Sequence, residues 1–474
     1  LIDIVNILMD GLSRGDVYID MKETPVNIEL QYKGWPESHM KALLASGWTT
    51  GENSPVVLSG DMISWRRTHN EIVTTIDKIV LRNKIVSPLS KKLKVEPNSL
   101  NIDHLNIQQK RAVKLVETQK VILLSGGPGT GKTSTILQMV LQALTKNPTL
   151  KIGMAAPTGK AAKKLKDTIQ TGLKELEDPQ KDKISTIPCK TLHKWLEAGP
   201  NGFRRNSQRL LNLDLIVVDE MSMVELSIIN GLLDSLPKSC QIILVGDPNQ
   251  LLPVGSGGIW QVLQSKEMNK KFTSNSVELS KSYRNKGDIA FLRNTLKDKG
   301  LDAFWRVLSM KEHSSNVSQH LSSLTSIPDP VFNTLYDYRK NLKNLTENCI
   351  NCIPNETWQS SMIEVAPSVE IINLFNLIDN LLILCPQKYG PWGVQKIHQL
   401  LLGDEFEKEI HSWGQGTPIM ARSNQPEIGL ANGDVGIIIG NGDNRRFLFN
   451  VFSEKQKLVT RLINPSRLNK FSAS

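Results

Sequence analysis

Short apolar runs alternate with helical patterns through the middle of the chain. Between about residues 100 and 275, runs rich in Val, Ile and Leu are each followed by a segment with apolar residues at helical spacing, and these runs read VILLSG, KIGMAAP, LIVVDE and QIILVGD. A run of this kind is typical of a strand that is covered on both faces of a parallel sheet. The alternation predicts an α/β domain, in which ligands bind at the carboxyl ends of the strands.

The pattern changes on both sides of this segment and predicts further domains. Residues 1–98 contain helical segments, among them LIDIVNILMDGLSRG, around a turn-rich WTTGENSPVVLSGD, and we expect a small helical N-terminal domain there. A second α/β segment follows over residues 276–430, with a Ser- and Asn-rich insertion at about 310–360 that we interpret as mobile or variable. Residues 431–474 have short strand patterns around Asn-Gly and Gly-Asp turns, which favour hairpins.

Composition argues against several classes of protein. The most apolar long stretch of the 474 residues, 371–385, is interrupted by Asn and Asp and is too short to span a bilayer. The N-terminus lacks the basic lead of a secretory signal. Five scattered cysteines do not make a disulfide framework, so we expect a reducing compartment, the cytoplasm. Cys349 and Cys352 form a C-x-x-C without a second pair nearby, and we expect no metal there.

The positive charge of the chain is concentrated in its middle. The formal net charge is +10, and residues 101–300 contain 29 Lys and Arg against 18 Asp and Glu, whereas the two flanking segments are close to neutral. A basic surplus confined to one segment indicates a polyanion as partner. A solvated charged face explains such a surplus nearly as often, so charge alone does not decide.

The stretch VILLSGGPGTGKTST contains a phosphate-binding loop. Gly126, Gly131, Lys132 and Thr133 have the spacing G-x-x-x-x-G-K-T, directly after a strand pattern and before a helical one. In such a loop backbone N–H groups surround phosphate oxygens, the lysine reaches the β- and γ-phosphates and the threonine hydroxyl binds Mg²⁺. We therefore predict that a nucleotide and Mg²⁺ bind to Gly126, Gly127, Pro128, Gly129, Thr130, Gly131, Lys132, Thr133 and Ser134.

An acidic pair follows the strand pattern LIVVDE. Asp219 is expected to hold the Mg²⁺, and Glu220 is expected to orient and deprotonate an attacking water. This pair indicates hydrolysis rather than binding alone. The alternative is that the two carboxylates only cap the next helix.

Polar residues also follow the run QIILVGD. Because Asp247 and Gln250 come after another strand of the same predicted sheet, Gln250 can reach toward a γ-phosphate while its loop faces a second ligand. The loop would then couple binding of the nucleotide to binding of the second ligand. The alternative is that Gln250 only closes the turn after the strand.

Two further stretches suit contacts with a polyanionic strand, APTGKAAKKLK and TLHKWL. The first stretch places the start of a basic helix at a strand end, where free backbone N–H groups bind phosphate well. The alternative for the second is an ordinary polar helix start with a satisfied histidine. The candidate DNA-binding residues are Pro157, Thr158, Gly159, Lys160, Thr191 and His193.

The ordered set of these stretches resembles the RecD family of superfamily 1 helicases. It comprises LNIQQKRAV, GGPGTGKT, APTGKAAKKL, TLHKWL, VVDEMSM, VGDPNQLLPVGSG and LSKSYR, and the likeness continues in ILCPQKYGPWGVQKIHQLL and GTPIMARSNQPEIGLANGDVG. The resemblance implies RecA-like P-loop NTPase motor domains at 99–275, with the ATP site, and at 276–430, and the start of an inserted β-barrel at 431–474. It also implies that Gln109 recognises adenine, Gln250 senses the γ-phosphate and Arg284 supplies positive charge to it from the second motor domain.

The amino-terminal SPVVLSGDMISWRR is similar to the segment before the motor in alpha subunits of exodeoxyribonuclease V. This similarity implies that residues 1–98 dock onto RecB-like and RecC-like subunits. The expected function is then that of an ATP-dependent helicase or translocase on single-stranded DNA, moving 5′ to 3′, in double-strand break repair and recombination.

The chain departs from the family pattern at its end. The family's last two motifs are absent before the closing RLNKFSAS, and with them the second catalytic arginine. We expect that the natural protein continues, the alternative being a degenerate gene product, and that residues 1–474 alone hydrolyse ATP poorly. Two other functions stay open: a nucleotide- and DNA-binding regulatory subunit without motor activity, and a helicase that acts on RNA.

Overall fold

The chain folds into two compact units, residues Leu1–Ala290 and Phe291–Ser474. The computed structural model describes residues 1–14, 16–22, 32–84, 104–174, 181–251, 253, 257–283, 287–310, 317, 327–366, 368–385, 387–406, 413–423, 425–430, 432–452, 458–468 and 471–473. No helix among these residues is long and apolar enough to cross a membrane.

The first unit begins with a small helix and sheet layer. Its helices are α1 (Ile2–Ser13), α2 (Glu37–Ala45) and α3 (Arg66–Asn83), and its strands are β1 (Ile19–Asp20), β2 (Val56–Ser59) and β3 (Met62–Trp65). The strands form an antiparallel sheet in the order β1-β3-β2. The prediction of a helical domain was therefore incomplete, because the turn in VVLSGDMISW joins two four-residue strands into a hairpin.

A six-stranded parallel sheet forms the centre of the first unit. Its strand order is β11-β4-β10-β9-β5-β6, and a two-stranded hairpin, β7-β8, stands beside it. These strands are β4 (Val121–Gly126), β5 (Ile152–Ala156), β6 (Cys189–Thr191), β7 (Ala198–Gly199), β8 (Gly202–Phe203), β9 (Leu215–Val218), β10 (Gln241–Gly246) and β11 (Ser276–Leu279). Because β11 pairs with β4, the sheet extends past the domain boundary that we placed at residue 275.

Helices cover both faces of this sheet. They are α4 (Ile107–Leu115), α5 (Lys132–Lys146), α6 (Gly159–Lys174), α7 (Lys181–Ser185), α8 (Leu192–Trp195), α9 (Leu226–Ser235), α10 (Ile259–Leu263) and α11 (Lys266–Phe272). The strands β4, β9 and β10 are buried along their whole length, as their apolar runs predict.

Helix α3 belongs to the core of the same unit. Ile72, Ile76 and Ile79 pack in one buried cluster with side chains of the central sheet and of α9. At its end Arg82 donates hydrogen bonds to the backbone carbonyls of Leu233, Leu236, Pro237 and Cys240, which lie in and after the last turn of α9. Burial lowers the pKa of this guanidinium. The N-terminal segment is therefore packed onto the central sheet through α3.

The second unit contains a six-stranded sheet whose neighbouring strands are all antiparallel. The order is β12-β16-β15-β14-β13-β17, with β12 (Met362–Val365), β13 (Pro418–Ala421), β14 (Val435–Ile439), β15 (Arg446–Phe452), β16 (Leu458–Ile463) and β17 (Phe471–Ala473). The sheet crosses the boundary predicted at residue 430. The barrel predicted for 431–474 is not confirmed, because within the described residues the two edge strands do not pair with each other.

Helices of the second unit contribute side chains to the buried clusters on both faces of its sheet. They are α13 (Asp329–Cys352), α14 (Val369–Asn380) and α15 (Val394–Leu402), and before them Gly287–Met310, α12, contains two helices that meet at Gly300. Part of the predicted insertion at 310–360 is thus the long helix α13, because Leu335, Leu342 and Cys349 recur at helical spacing and are buried. Residues 311–316 and 318–326 of that insertion lie outside the described residues.

Candidate functional site

The phosphate loop connects the end of β4 to the start of α5. Gly129 and Gly131 have φ values of 72° and 84°, a left-handed conformation that glycine adopts without steric cost. The turn is closed by Thr130, whose hydroxyl donates to the carbonyl of Gly127 at 2.8 Å. Helix α5 begins at Lys132, so its free N–H groups and positive dipole end open onto this loop.

The Lys132 side chain folds back over the loop. Its Nζ donates to the carbonyl oxygens of Gly126 and Gly127 at 2.7 and 3.2 Å. Thr133 follows in the first turn of the helix and is half-buried, while Ser134 is exposed. The loop therefore brings an ammonium group, a hydroxyl and free N–H donors to one concave turn, which is the chemistry that phosphate oxygens need.

The acidic pair lies at the same sheet edge, because β10 separates β9 from β4 and pairs with both. Asp219 is buried and accepts a hydrogen bond from the N–H of Glu220 at 2.9 Å. Burial, and then the charge of Glu220, raise the pKa of Asp219 to about 6, although Lys132 and Lys164 act in the opposite direction. A bound cation would offset this repulsion.

Glu220 has an unusual backbone conformation. Its φ and ψ are 54° and 46°, in the left-handed region that few non-glycine residues adopt. Its Oε2 is buried and has no hydrogen-bond partner within the described part of the chain. Such strain and such an unpaired oxygen are typical of functional sites, where a ligand supplies the missing contact.

The loop after β10 presents an exposed amide. Asp247 is buried and accepts a hydrogen bond from the N–H of Asn249 at 3.0 Å, which shapes the turn. Gln250 is exposed, and its Oε1 accepts a hydrogen bond from the hydroxyl of Ser222 at 3.0 Å. Sequence reasoning did not identify Ser222, since the contact joins loops 28 residues apart.

Gln109 lies beside the phosphate loop. It forms a capping box with Asn106 at the start of α4, and a Cβ on Gly131 would lie 2.8 Å from its Nε2. The Asn106 side chain donates to the hydroxyl of Tyr283 at 2.9 Å, and the N–H of Tyr283 donates to the carbonyl of Gly129 at 2.7 Å. Sequence reasoning did not single out Asn106 or Tyr283, although N-x-x-Q is a capping-box spacing and the tyrosine precedes Arg284 in LSKSYR.

The candidate DNA-binding residues come together on neighbouring strand ends. Pro157, Thr158, Gly159 and Lys160 follow β5, and Thr191 ends β6 in register with Ala156 of β5. The Thr158 hydroxyl accepts from the N–H of Ala161, the Thr191 hydroxyl accepts from the N–H of Lys194, and Lys160 and His193 are exposed.

Two expected features stand apart from this geometry. Arg284 lies outside the described residues. Its neighbour Tyr283 belongs to the first unit, whereas Arg284 was expected to act from the second motor domain. The described residues contain no group of three or more His, Cys, Asp and Glu side chains placed to hold a metal. Asp219 and Thr133 nevertheless supply hard oxygen ligands, which suit Mg²⁺ because it keeps several waters and takes few protein ligands.

The chain is similar to a known domain family and to several known proteins. Residues 109–256 match the AAA domain family. The chain is 27% identical to "RecBCD enzyme subunit RecD" of Mycolicibacterium smegmatis over 93% of this chain and 76% of that protein. It is 33% identical to "ATP-dependent RecD2 DNA helicase" of Deinococcus radiodurans over 32% of this chain and 19% of that protein. Among solved structures, Bacteroides Pif1 bound to ssDNA aligns at 16% identity over 75% of this chain and 73% of that chain, with a TM-score of 0.36.

Proposed function

Because the chain belongs to the RecD family of superfamily 1 helicases, we propose that it is an ATP-hydrolysing DNA helicase that moves along single-stranded DNA in the 5′ to 3′ direction. The observation that carries this proposal is the convergence at one sheet edge. The phosphate loop, the acidic pair and the Gln250 loop follow the adjacent strands β4, β9 and β10, and the turns after β5 and β6 continue the same edge.

The nucleotide half of the proposal assigns a role to each side chain. Lys132 contacts the β- and γ-phosphates, and Thr133 and Asp219 hold the Mg²⁺ that shields the phosphate charge. Glu220 accepts the proton of the attacking water, for which its unpaired Oε2 is available. Arg284 adds positive charge at the γ-phosphate.

The adenine base is proposed to bind to Gln109 and Tyr283, which lie next to the phosphate loop. Gln109 donates to and accepts from the adenine edge, and its Nε2 is already close to the loop at Gly131. The Tyr283 ring is exposed beside the same glycine, where it can stack on the base.

The DNA half of the proposal uses the turns after β5 and β6. Thr158, Lys160, Thr191 and His193, with the backbone of Pro157 and Gly159, contact the phosphates of one strand. Helix α6 adds Lys163 and Lys164 on the following turn, which gives this edge the positive charge that a polyanion requires. Gln250 senses the γ-phosphate and couples nucleotide binding to DNA binding.

We also assign the chain to a multisubunit enzyme of the cytoplasm. The RecD name of the relatives supports RecB-like and RecC-like partners in double-strand break repair and recombination. Residues 1–98 are the proposed docking domain. The first part of this segment has a small core of its own, with Ile4, Ile7, Trp35 and Ile63, whereas α3 packs on the central sheet.

ATP turnover by the full-length protein, with and without single-stranded DNA, tests this function. We expect DNA to raise turnover at least about tenfold, which corresponds to about 1.4 kcal/mol of transition-state stabilisation. Single-stranded RNA of the same sequence is the control. Equal stimulation by RNA would contradict the DNA assignment, and binding of both ligands without turnover would identify a regulatory subunit instead.

A further inference from the structure

The turn after β9 lies against the loop after β10, and one hydrogen bond joins their side chains. Ser222 is 0% exposed and is the middle residue of a short 3₁₀ helix, Met221–Met223, that begins directly after Glu220. Its Oγ donates to Oε1 of Gln250 at 3.0 Å. A fully buried hydroxyl two residues from the proposed base therefore holds the exposed side chain of the neighbouring loop.

This hydrogen bond determines which end of the Gln250 amide is available. A glutamine amide has one accepting oxygen and one donating nitrogen, whereas phosphate oxygens only accept hydrogen bonds. With Oε1 held by Ser222, the amide presents Nε2 to a ligand. Without that bond the amide can rotate and present its oxygen, which repels a phosphate.

The two loops are also joined through close packing. A Cβ on Gly246, at the end of β10, would lie 2.9 Å from Nε1 of Trp260 and 3.1 Å from Cβ of Met221, so the turn after β9 rests directly on the end of β10. Further along, Glu225 and Gly258 form an antiparallel bridge between the same two segments. A shift of the Gln250 loop is therefore transmitted to the turn that contains Glu220.

We propose that Ser222 is a positioning residue for hydrolysis. It holds the Gln250 amide with Nε2 outward, ready for the γ-phosphate, and links the contact made there to the backbone turn that orients Glu220. The proposal rests on the function proposed above, because it requires that Gln250 meets a γ-phosphate.

The expected effect falls on turnover rather than on ground-state binding. Ser222→Ala should lower DNA-stimulated kcat about tenfold, since loss of one hydrogen bond of ~1.4 kcal/mol to an oriented group is a tenfold change. KM for ATP and the affinity for single-stranded DNA without nucleotide should change less than about twofold, because Ser222 is fully buried and its hydroxyl is directed at Gln250.

Ser235→Ala provides the matched control. Ser235 is also 0% exposed, and its Oγ donates to the carbonyl of Leu232 within α9 at 2.9 Å, on a helix that the proposed mechanism does not use. Both variants remove one fully buried hydroxyl, so their melting temperatures should fall by similar amounts. Only Ser222→Ala should lose turnover.

A double-variant cycle in the full-length protein completes the test. If Ser222 acts through Gln250, adding Ser222→Ala to Gln250→Ala should produce no further fall in kcat. A further tenfold fall in the double variant, normal kcat in Ser222→Ala, or an equal loss in Ser235→Ala would each overturn the proposal. Absence of turnover in the parent protein would refute both the proposed function and this inference, whereas an active parent with a normal Ser222→Ala variant refutes only the inference.

Discussion

Replacing Lys132 with alanine should weaken ATP binding at least about a hundredfold and abolish turnover. The Lys132 ammonium lies within 3.2 Å of the carbonyl oxygens of Gly126 and Gly127, over the loop that receives the phosphates. A charged hydrogen bond contributes roughly 1.5 to 3 kcal/mol, and the variant also removes the positive charge that offsets the phosphates. Titration with a fluorescent ATP analogue measures the affinity.

Lys146→Ala is the control for this variant, because Lys146 ends the same helix and pairs only with Glu117 at 3.5 Å among the described ion pairs. It should leave ATP affinity unchanged. An ATP affinity in Lys132→Ala equal to that of the parent would refute the phosphate-loop assignment.

Glu220→Gln should separate binding from hydrolysis. The amide has nearly the same shape as the carboxylate and can keep the left-handed backbone, so ATP affinity should stay within about threefold of the parent. Turnover should fall by roughly a hundredfold or more, because the amide cannot accept the proton of the attacking water. Single-turnover kinetics and nucleotide titration on the same preparation measure both quantities.

Glu225→Gln, five residues further along the same segment, is the matched control and should retain normal turnover. The pKa of Asp219 should also fall in Glu220→Gln, since the Glu220 charge contributes to its elevation. Parental turnover in Glu220→Gln would exclude this residue as the base.

Residues whose geometry is local were predictable from the sequence. The loop Gly126–Thr133 and the pair Asp219 and Glu220 each follow an apolar run directly, so a strand pattern and a few neighbouring residues determine where they lie. The parallel sheet then brings them to one edge, because carboxyl ends of parallel strands meet there.

Contacts between distant segments were not predictable in this way. The Ser222 to Gln250 bond depends on β9 and β10 becoming neighbours, and the pairing of β12 with β16 joins residues nearly a hundred positions apart. The sequence of a short apolar strand such as β12 does not indicate which other strand it pairs with. Residues 276–430 were expected to form a second α/β domain, whereas the described strands of the second unit form one antiparallel sheet.

The N-terminal segment shows a related limit. Its helix α3 has the apolar spacing that predicts a helix, but sequence spacing does not show that Ile72, Ile76 and Ile79 pack on the central sheet or that Arg82 caps α9. The domain boundary predicted at residue 98 therefore separated α3 from the central sheet, although the two share one core.

The reciprocal effect of nucleotide and DNA on each other tests the central claim most directly. The full-length protein should bind single-stranded DNA with a different affinity when a non-hydrolysable ATP analogue is present, and DNA should change the affinity for the analogue by the same factor, in the range of about 5- to 150-fold. A factor clearly different from one, which linkage requires to be the same in both directions, would support one coupled sheet edge. Affinities that are each unchanged by the other ligand would contradict it.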